Sequence, residues 1–123
     1  MIKNILMIAL GGSAGSVLRY LVQKLFQPAS PGGFPTSTFL INITGCFLIG
    51  LFWSLFSRSA NLGEEIKLLL MTGLCGGFTT FSAFTLEGIG LLKENKTGLF
   101  LAYTAGSVLL GLAATLTGIR LFK

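Results

Sequence analysis

Four apolar segments, separated by short polar stretches, run through almost the whole chain of 123 residues. Each reaches the roughly 20 residues that an α-helix needs to cross the hydrocarbon core of a bilayer. The segments cover residues 5–26, 38–57, 66–92 and 98–121. The sequence therefore predicts an all-α membrane protein, in which residues 1–123 form a single domain of four transmembrane helices.

The composition agrees with lipid as the solvent of these segments. Hydrophobic residues make up 52% of the chain and charged residues only 11%, against about 25% charged residues in a typical soluble domain. The sequence contains neither histidine nor aspartate, which excludes a His-based catalytic triad, a histidine metal site and a pair of catalytic aspartates. Cys46 and Cys75 lie in apolar segments without the spacing of metal ligands, so we interpret them as small hydrophobic residues. We expect an ion-transporting protein with no enzyme activity and no organic cofactor.

The positive charges are divided almost evenly between the two ends of the predicted bundle. Five lie on the side of both termini and four on the other side: Lys3, Arg58, Lys67, Arg120 and Lys123 against Arg19, Lys24, Lys93 and Lys96. Because a bias in lysine and arginine orients membrane proteins, this near tie favours insertion in both orientations and an antiparallel, dual-topology homodimer. The alternative is that local details select one orientation. The charges are scattered, which fits lipid headgroups and indicates no nucleic-acid partner.

The third segment is interrupted by a glycine-rich motif, Gly73-Leu-Cys-Gly-Gly-Phe-Thr-Thr-Phe-Ser-Ala-Phe84. Its glycines loosen the helix, and the hydroxyls of Thr79 and Thr80 can bond backbone groups that a break releases. A broken helix is tolerated at membrane depth only where protein or a water-filled cavity covers its backbone. Such breaks are places where carbonyls or amides meet an ion or a substrate. The motif therefore predicts a broken third helix and a role in transport.

Polar residues near this motif suggest what the path would carry. Asn42 lies inside the second segment, where an unpartnered amide costs about 2–7 kcal/mol, so it either joins two helices or lines a wet path. Beyond the break, two adjoining ridges are predicted on one helix. One ridge consists of Phe78, Phe81 and Phe84, and the other of the hydroxyl residues one position later, Thr79, Ser82 and Thr85. Aromatic ring edges carry partial positive charge, so the two ridges could hold a small dehydrated anion. Tyr103 and Ser107 add donors from the fourth helix.

Two charged residues have open roles in the sequence. Arg19, near the end of the first segment, either extends to the headgroups or faces a vestibule, where its charge would concentrate anions. Glu87 is either a proton-carrying acid or a structural acceptor, and we favour the structural role.

Three motifs together resemble the Fluc/CrcB family of microbial fluoride channels, and the likeness covers the full chain. They are Gly11-Gly-Ser-Ala-Gly-Ser-Val-Leu-Arg-Tyr20, Thr38-Phe-Leu-Ile-Asn-Ile-Thr-Gly45 and the Gly73–Phe84 motif. The resemblance implies an antiparallel homodimer in the plasma membrane, or the inner membrane of a Gram-negative bacterium. It implies passive export of fluoride with strong rejection of chloride.

The resemblance also implies roles for individual residues. Backbone carbonyls of Gly76 and Thr79 from both subunits would hold a structural sodium ion at the dimer centre. The fluoride path would be lined by ring edges and polar groups, namely Phe81, Phe84, Asn42, Ser82, Thr85, Tyr103 and Ser107. Arg19 matches the basic residue near the vestibule.

One position departs from the resemblance, and two other functions compete with it. Gly111 stands four residues after Ser107, where some relatives carry a hydroxyl, so the polar track on the fourth helix would be shorter here. A small proton-coupled multidrug exporter would share the size and dual topology, but it needs a carboxylate in the membrane, for which Glu87 is the candidate. A structural membrane subunit would explain the glycines but not Asn42 or the hydroxyl residues.

Overall fold

The computed structural model of the chain describes residues 1–26, 33–58 and 62–121, so Lys123, one of the charges in the topology argument, lies outside the described residues. The described chain is all-helical, and four helical stretches are long and apolar enough to cross a membrane, as predicted. They are α1 (Ile2–Leu25), α2 (Thr36–Arg58), a third span (Glu64–Lys93) and a last helix (Thr97–Leu121).

The third span is built from four helical pieces and one extended step. The extended step consists of Thr79 (φ −81°, ψ 158°) and Thr80 (φ −149°, ψ 117°), which separate the span into two halves. The first half contains a π-helical segment of 8 residues, a rare conformation that is often found at functional sites. The pieces are α3 (Glu64–Lys67), the π-helical segment (Leu68–Cys75), α4 (Gly76–Phe78) and α5 (Phe81–Lys93), and the last helix of the chain is α6 (Thr97–Leu121).

The first half of the third span packs mainly on α1, and the contact is made by backbone against backbone. A methyl group placed on Gly73 would lie 2.9 Å from the Cα atom of Gly11. One placed on Gly77 would lie 3.0 Å from the Cα atom of Gly12. Two of the glycines expected to loosen the helix therefore have another role, because they let α1 and the third span approach closely. The chain remains helical through both of them and breaks only at the threonines that follow.

The other main contact joins α2 and α6. Gly50 of α2 faces the carbonyl of Thr115, and Gly118 of α6 faces the backbone of Phe47, so small residues again permit a close approach. The hydroxyl of Thr115 donates to the carbonyl of Cys46 across the same interface, at 3.0 Å. Helix α5 lies beside α6, and thus the second half of the third span faces the α2–α6 pair.

Few side chains are fully buried inside the chain. Tyr103, Thr38 and Ile41 are at most 1% exposed, and they lie where α2 and α6 meet the start of α5. Large apolar side chains cover the outside of the helices, for example Phe81, which is 77% exposed, and Leu86, which is 75% exposed. This surface is suited to contact with lipid or with another protein chain.

Candidate functional site

Asn42 bonds both backbone groups of Thr80 at the break. Its carboxamide oxygen accepts from the N–H of Thr80 at 2.9 Å, and its Nδ2 donates to the carbonyl of Thr80 at 3.0 Å. A carboxamide has two N–H donors, and the second one has no partner among the described residues. Asn42 therefore joins α2 to the break and still has one donor to offer.

The threonines complete the ends of the two half-helices. Thr79 donates both its backbone N–H, at 3.0 Å, and its hydroxyl, at 2.9 Å, to the carbonyl of Cys75 in the last turn of the first half. The hydroxyl of Thr80 accepts from the N–H of Ala83 at 3.2 Å, so Thr80 is the N-cap of α5. The hydroxyl of Thr80 thus bonds a backbone group that the break releases, as the sequence predicted, whereas the hydroxyl of Thr79 bonds a carbonyl that keeps its backbone donor.

Two carbonyls at the break lose the donors that an unbroken helix would give them. In an α-helix the N–H of residue i+4 donates to the carbonyl of residue i. The N–H of Thr80 would bond Gly76, but it donates to Asn42. The N–H of Ala83 would bond Thr79, but it donates to the hydroxyl of Thr80. A methyl group placed on Gly76 would meet no atom within 4 Å. Gly76 therefore faces open space, and its carbonyl and that of Thr79 are candidates for binding a cation.

Arg19 reaches the backbone just before the break from α1, whereas Asn42 belongs to α2. Its Nε donates to the carbonyl of Gly77 at 3.0 Å, in a half-buried position. The structure thus brings Arg19 to the backbone of the predicted cation site, whereas the sequence suggested only a headgroup or vestibule position. Gly15, one helical turn before Arg19, is buried against the first half of the third span. The glycine motif of α1 indicates a close helix contact at this place, but it does not identify Gly77 as the partner of Arg19.

A cavity of about 400 Å³ lies beside the break, on the side of α2 and α6. It brings together six of the predicted site residues: Asn42, Gly76, Thr79, Phe81, Phe84 and Ser107. The wall is mostly apolar, with a few polar groups at fixed positions, which is typical of a binding site for a small ligand. The cavity also touches Cys46 and Cys75, which the sequence analysis treated only as packing residues.

The phenylalanine ridge differs from the predicted one. Phe81 and Phe84 lie together on α5, with ring centroids 5.8 Å apart. Phe78 belongs to α4, on the other side of the extended step. The prediction of a three-membered ridge is therefore wrong at Phe78, because residues three apart share a face only along one continuous helix. The same reason removes Thr79 from the predicted hydroxyl ridge.

The remaining hydroxyl residues of α5 are on its exposed surface. Thr85 donates to the carbonyl of Ser82 at 2.9 Å, and the hydroxyls of Ser82 and Thr80 lie 3.4 Å apart. Both Ser82 and Thr85 are exposed within the single chain and are not part of the cavity wall. A path that uses them must run along the outside of one subunit.

Ser107 has the most informative hydroxyl in the cavity. Its oxygen is buried and makes no hydrogen bond within the described residues. A buried hydroxyl without a partner is costly, and it lies where a ligand in the cavity could accept from it. One turn further along α6, a methyl group placed on Gly111 would lie 3.3 Å from the sulfur of Cys46. The thiol of Cys46 thus fills space that a longer residue at 111 would need.

The carboxylate of Glu87 accepts hydrogen bonds from two buried hydroxyl groups. Its Oε2 accepts from the hydroxyl of Thr38 and its Oε1 from the hydroxyl of Tyr103, both at 3.0 Å. The rings of Tyr103 and Phe84 are in contact, with centroids 5.1 Å apart. The acid therefore joins α2, α5 and α6 directly behind the cavity wall, which agrees with the structural role that the sequence analysis favoured. Thr38 was not predicted as a site residue, although the sequence already showed a hydroxyl at the start of an apolar helix.

No cluster of three or more His, Cys, Asp or Glu side chains that could hold a metal occurs in residues 1–26, 33–58 and 62–121. The backbone carbonyls at the break are the candidate ligands for a cation. Hard cations accept such ligands readily, since they prefer oxygen.

The sequence from residue 6 to residue 119 matches the profile of a protein family described as "CrcB-like protein, Camphor Resistance (CrcB)". The chain belongs to the CrcB family. This family assignment confirms the resemblance on which the residue roles were based, and it makes the chain a multi-pass membrane protein of a channel family rather than an enzyme.

Members of the CrcB family with similar sequences come from several bacteria. The chain is 47% identical over 121 residues to a protein of Flavobacterium psychrophilum, with 98% of each chain covered. It is 47% identical to a protein of Phocaeicola vulgatus, over 95% of this chain and 96% of the relative. It is 46% identical to a protein of Chlorobium luteolum, over 94% of this chain and 89% of the relative. All three are named "Fluoride-specific ion channel FluC".

Proposed function

We propose that this CrcB-family chain forms a fluoride-selective passive channel that lets fluoride leave the cytoplasm down its gradient. The observation that carries the proposal is the cavity beside the break, which combines two aromatic rings with an unpartnered buried hydroxyl. The names of the relatives support fluoride as the ion.

The proposed path uses weak contacts in place of water. Fluoride would exchange its hydration for the ring edges of Phe81 and Phe84, the second N–H of Asn42 and the hydroxyl of Ser107. Each contact is weak enough to allow exit, which conduction requires. A wall of aromatic rings also limits the width of the path, which disfavours chloride, the larger ion.

Three further hydroxyl residues are assigned to the same path. Ser82 and Thr85 would contribute on the exposed face of α5, where a second subunit would cover them. Tyr103 would act through its contact with Phe84, because its own hydroxyl is bonded to Glu87. The charge of Arg19 would raise the local concentration of anions at the vestibule.

The proposal includes a structural sodium ion held by the carbonyls of Gly76 and Thr79. Both carbonyls have lost their regular helical donors, and Gly76 faces open space. A bound sodium ion would supply positive charge that offsets the dipoles of these carbonyls.

The assembly is proposed to be an antiparallel homodimer with two copies of the break near its centre. The near tie of positive charges favours dual topology. The open space at Gly76 and the 77% exposure of Phe81 also leave room for a second copy. The proposed location is the plasma membrane, or the inner membrane of a Gram-negative bacterium.

The test is efflux from liposomes loaded with potassium fluoride, in which valinomycin balances the charge and an electrode records fluoride. We expect rapid fluoride release from liposomes that contain the protein, and retention of chloride in a parallel preparation. Liposomes without protein are the control. Absence of fluoride release from a correctly folded protein would contradict the proposal and would bring back proton-coupled export through Glu87.

A further inference from the structure

We propose that Arg19 is a positioning residue that holds the break in shape, and that its guanidinium geometry matters in addition to its charge. By bonding Gly77, it would fix the backbone that presents the neighbouring carbonyls of Gly76 and Thr79. The inference rests on the proposed function, because those carbonyls are the proposed sodium ligands.

The reach of Arg19 follows from the packing of α1. Gly15, one turn earlier, is buried so closely that a methyl group on it would lie 2.7 Å from the backbone nitrogen of Phe78. This approach brings the Nε atom of Arg19 to 3.0 Å from the carbonyl of Gly77, 58 residues away in sequence. The residue is half-buried, so the bond is partly protected from competing water.

The position of Gly77 explains why such a bond would matter. In sequence Gly77 lies between Gly76 and Thr79, and the regular helical donor to its carbonyl, the N–H of Phe81, lies beyond the extended step. With Arg19 bonded to it, this carbonyl is occupied while its neighbours are available. The break is thus held from two sides, by Arg19 of α1 and by Asn42 of α2.

Lysine has no donor at the position of Nε. The bond uses Nε, the nitrogen within the arginine side chain, whereas lysine carries its donors only at the end of a flexible chain. If Arg19 acted only by attracting anions, Arg19→Lys would behave like the wild type. If Arg19 positions the break, Arg19→Lys would resemble Arg19→Gln.

The decisive measurement is the thermal unfolding midpoint of the purified protein, titrated with sodium in a background of N-methylglucamine. Hydrogen bonds from charged groups are among the stronger ones, and both Arg19 variants should need about tenfold more sodium for half-maximal stabilisation, which corresponds to about 1.4 kcal/mol. Lys24→Gln is the matched control, since it removes one positive charge from the same end of α1, and it should keep the wild-type titration. A wild-type titration for Arg19→Lys would overturn the inference.

A second measurement needs no variant at position 19, in case those proteins fail to fold. The Nε–H signals of the arginines can be followed by NMR as they exchange with water in the wild-type protein. Arg58 and Arg120 are exposed and serve as internal references, assigned with Arg58→Lys and Arg120→Lys. We expect the Arg19 signal to exchange at least about tenfold more slowly than both, by the same estimate for a protected charged hydrogen bond. Equal exchange rates would contradict the contact.

These results separate the inference from the proposed function. A wild-type protein that does not release fluoride would refute the proposed function, while slow exchange at Arg19 would still support the contact with Gly77. A wild-type protein that conducts fluoride but gains no stability from sodium would refute the sodium site and the role of Arg19 toward it. If the wild-type protein conducts fluoride and is stabilised by sodium, but Arg19→Lys leaves the sodium titration unchanged, the positioning role alone is refuted.

Discussion

The two halves of the third span are held in different ways. Before the extended step, the π-helical segment and α4 contact α1 through glycine backbones, with Gly73 and Gly77 against Gly11 and Gly12. After it, α5 is fixed by side chains, chiefly by the bonds of Glu87 to hydroxyls on two other helices. The first half therefore depends on the absence of side chains, and the second on particular polar groups.

The difference indicates that the two sides of the break have separate roles, one in packing and the other in binding. The contact between α1 and the first half leaves no room for a Cβ atom at Gly11, Gly73 or Gly77. The other side retains a cavity of about 400 Å³. Asn42 contributes both to packing and to the cavity, because it bonds Thr80 and also lines that cavity.

The largest loss of stability is expected for Asn42→Ala, which removes the bonds across the junction of the two halves. An unpaired backbone group costs about 1–3 kcal/mol, so leaving both groups of Thr80 without this partner should cost about 2–6 kcal/mol in total. The free energy of unfolding in detergent tests this. Thr44→Ala, at an exposed position of the same helix, should have little effect. Equal stability of the two variants would show that the junction is held by something else.

A glycine on each side of the break provides the next comparison. Gly77→Ala should destabilise the protein by about 1–3 kcal/mol, because the added methyl group overpacks the contact with α1. Gly90→Ala, in α5, should stabilise it by about 0.5–1 kcal/mol, since the site is open and alanine favours a helix. The pair is compared by thermal unfolding. Effects of the same sign would refute the distinction between a closed first half and a more open second half.

The polar anchoring of α5 is tested by Glu87→Gln. Hydrogen bonds between helices in membrane proteins average about 0.6 kcal/mol, so weakening two of them should cost about 1 kcal/mol. Glu94→Gln is the control. Glu94 is the C-cap of α5, and its carboxylate makes only a long contact with Lys96, at 4.0 Å. If Glu87→Gln left stability and fluoride release unchanged, α5 would not depend on this group.

Phe81→Ile is expected to have the smallest effect on stability. Its effect on transport should be large. Phe81 is 77% exposed in one subunit, and substitutions at exposed positions usually change stability by at most about 0.5 kcal/mol. Fluoride release should nevertheless fall, because isoleucine has no ring edge. Leu86→Ile, which changes an equally exposed side chain of α5, should release fluoride normally. Normal release from both variants would remove the ring from the proposed path.

The sequence predicted the features that depend on composition and local pattern. Apolar length predicted the four candidate spans, and Thr80 was recognised as a residue whose hydroxyl bonds a released backbone group. The partners of Asn42 and Arg19 were not predictable, because they lie 38 and 58 residues away in sequence. The error at Phe78 arose because its spacing fits a continuous helix, while the break falls between Phe78 and Phe81.

The most direct test of the central claim, that fluoride passes through the cavity beside the break, uses a thiol already in its wall. In the Cys75→Ala variant, Cys46 is the only cysteine, and it lines the cavity. A small thiol reagent is applied to this variant in fluoride-loaded liposomes, and mass spectrometry confirms that Cys46 has been modified. The account predicts that fluoride release stops as modification proceeds and continues in Cys46→Ala/Cys75→Ala. Undiminished release from a protein fully modified at Cys46 would contradict it.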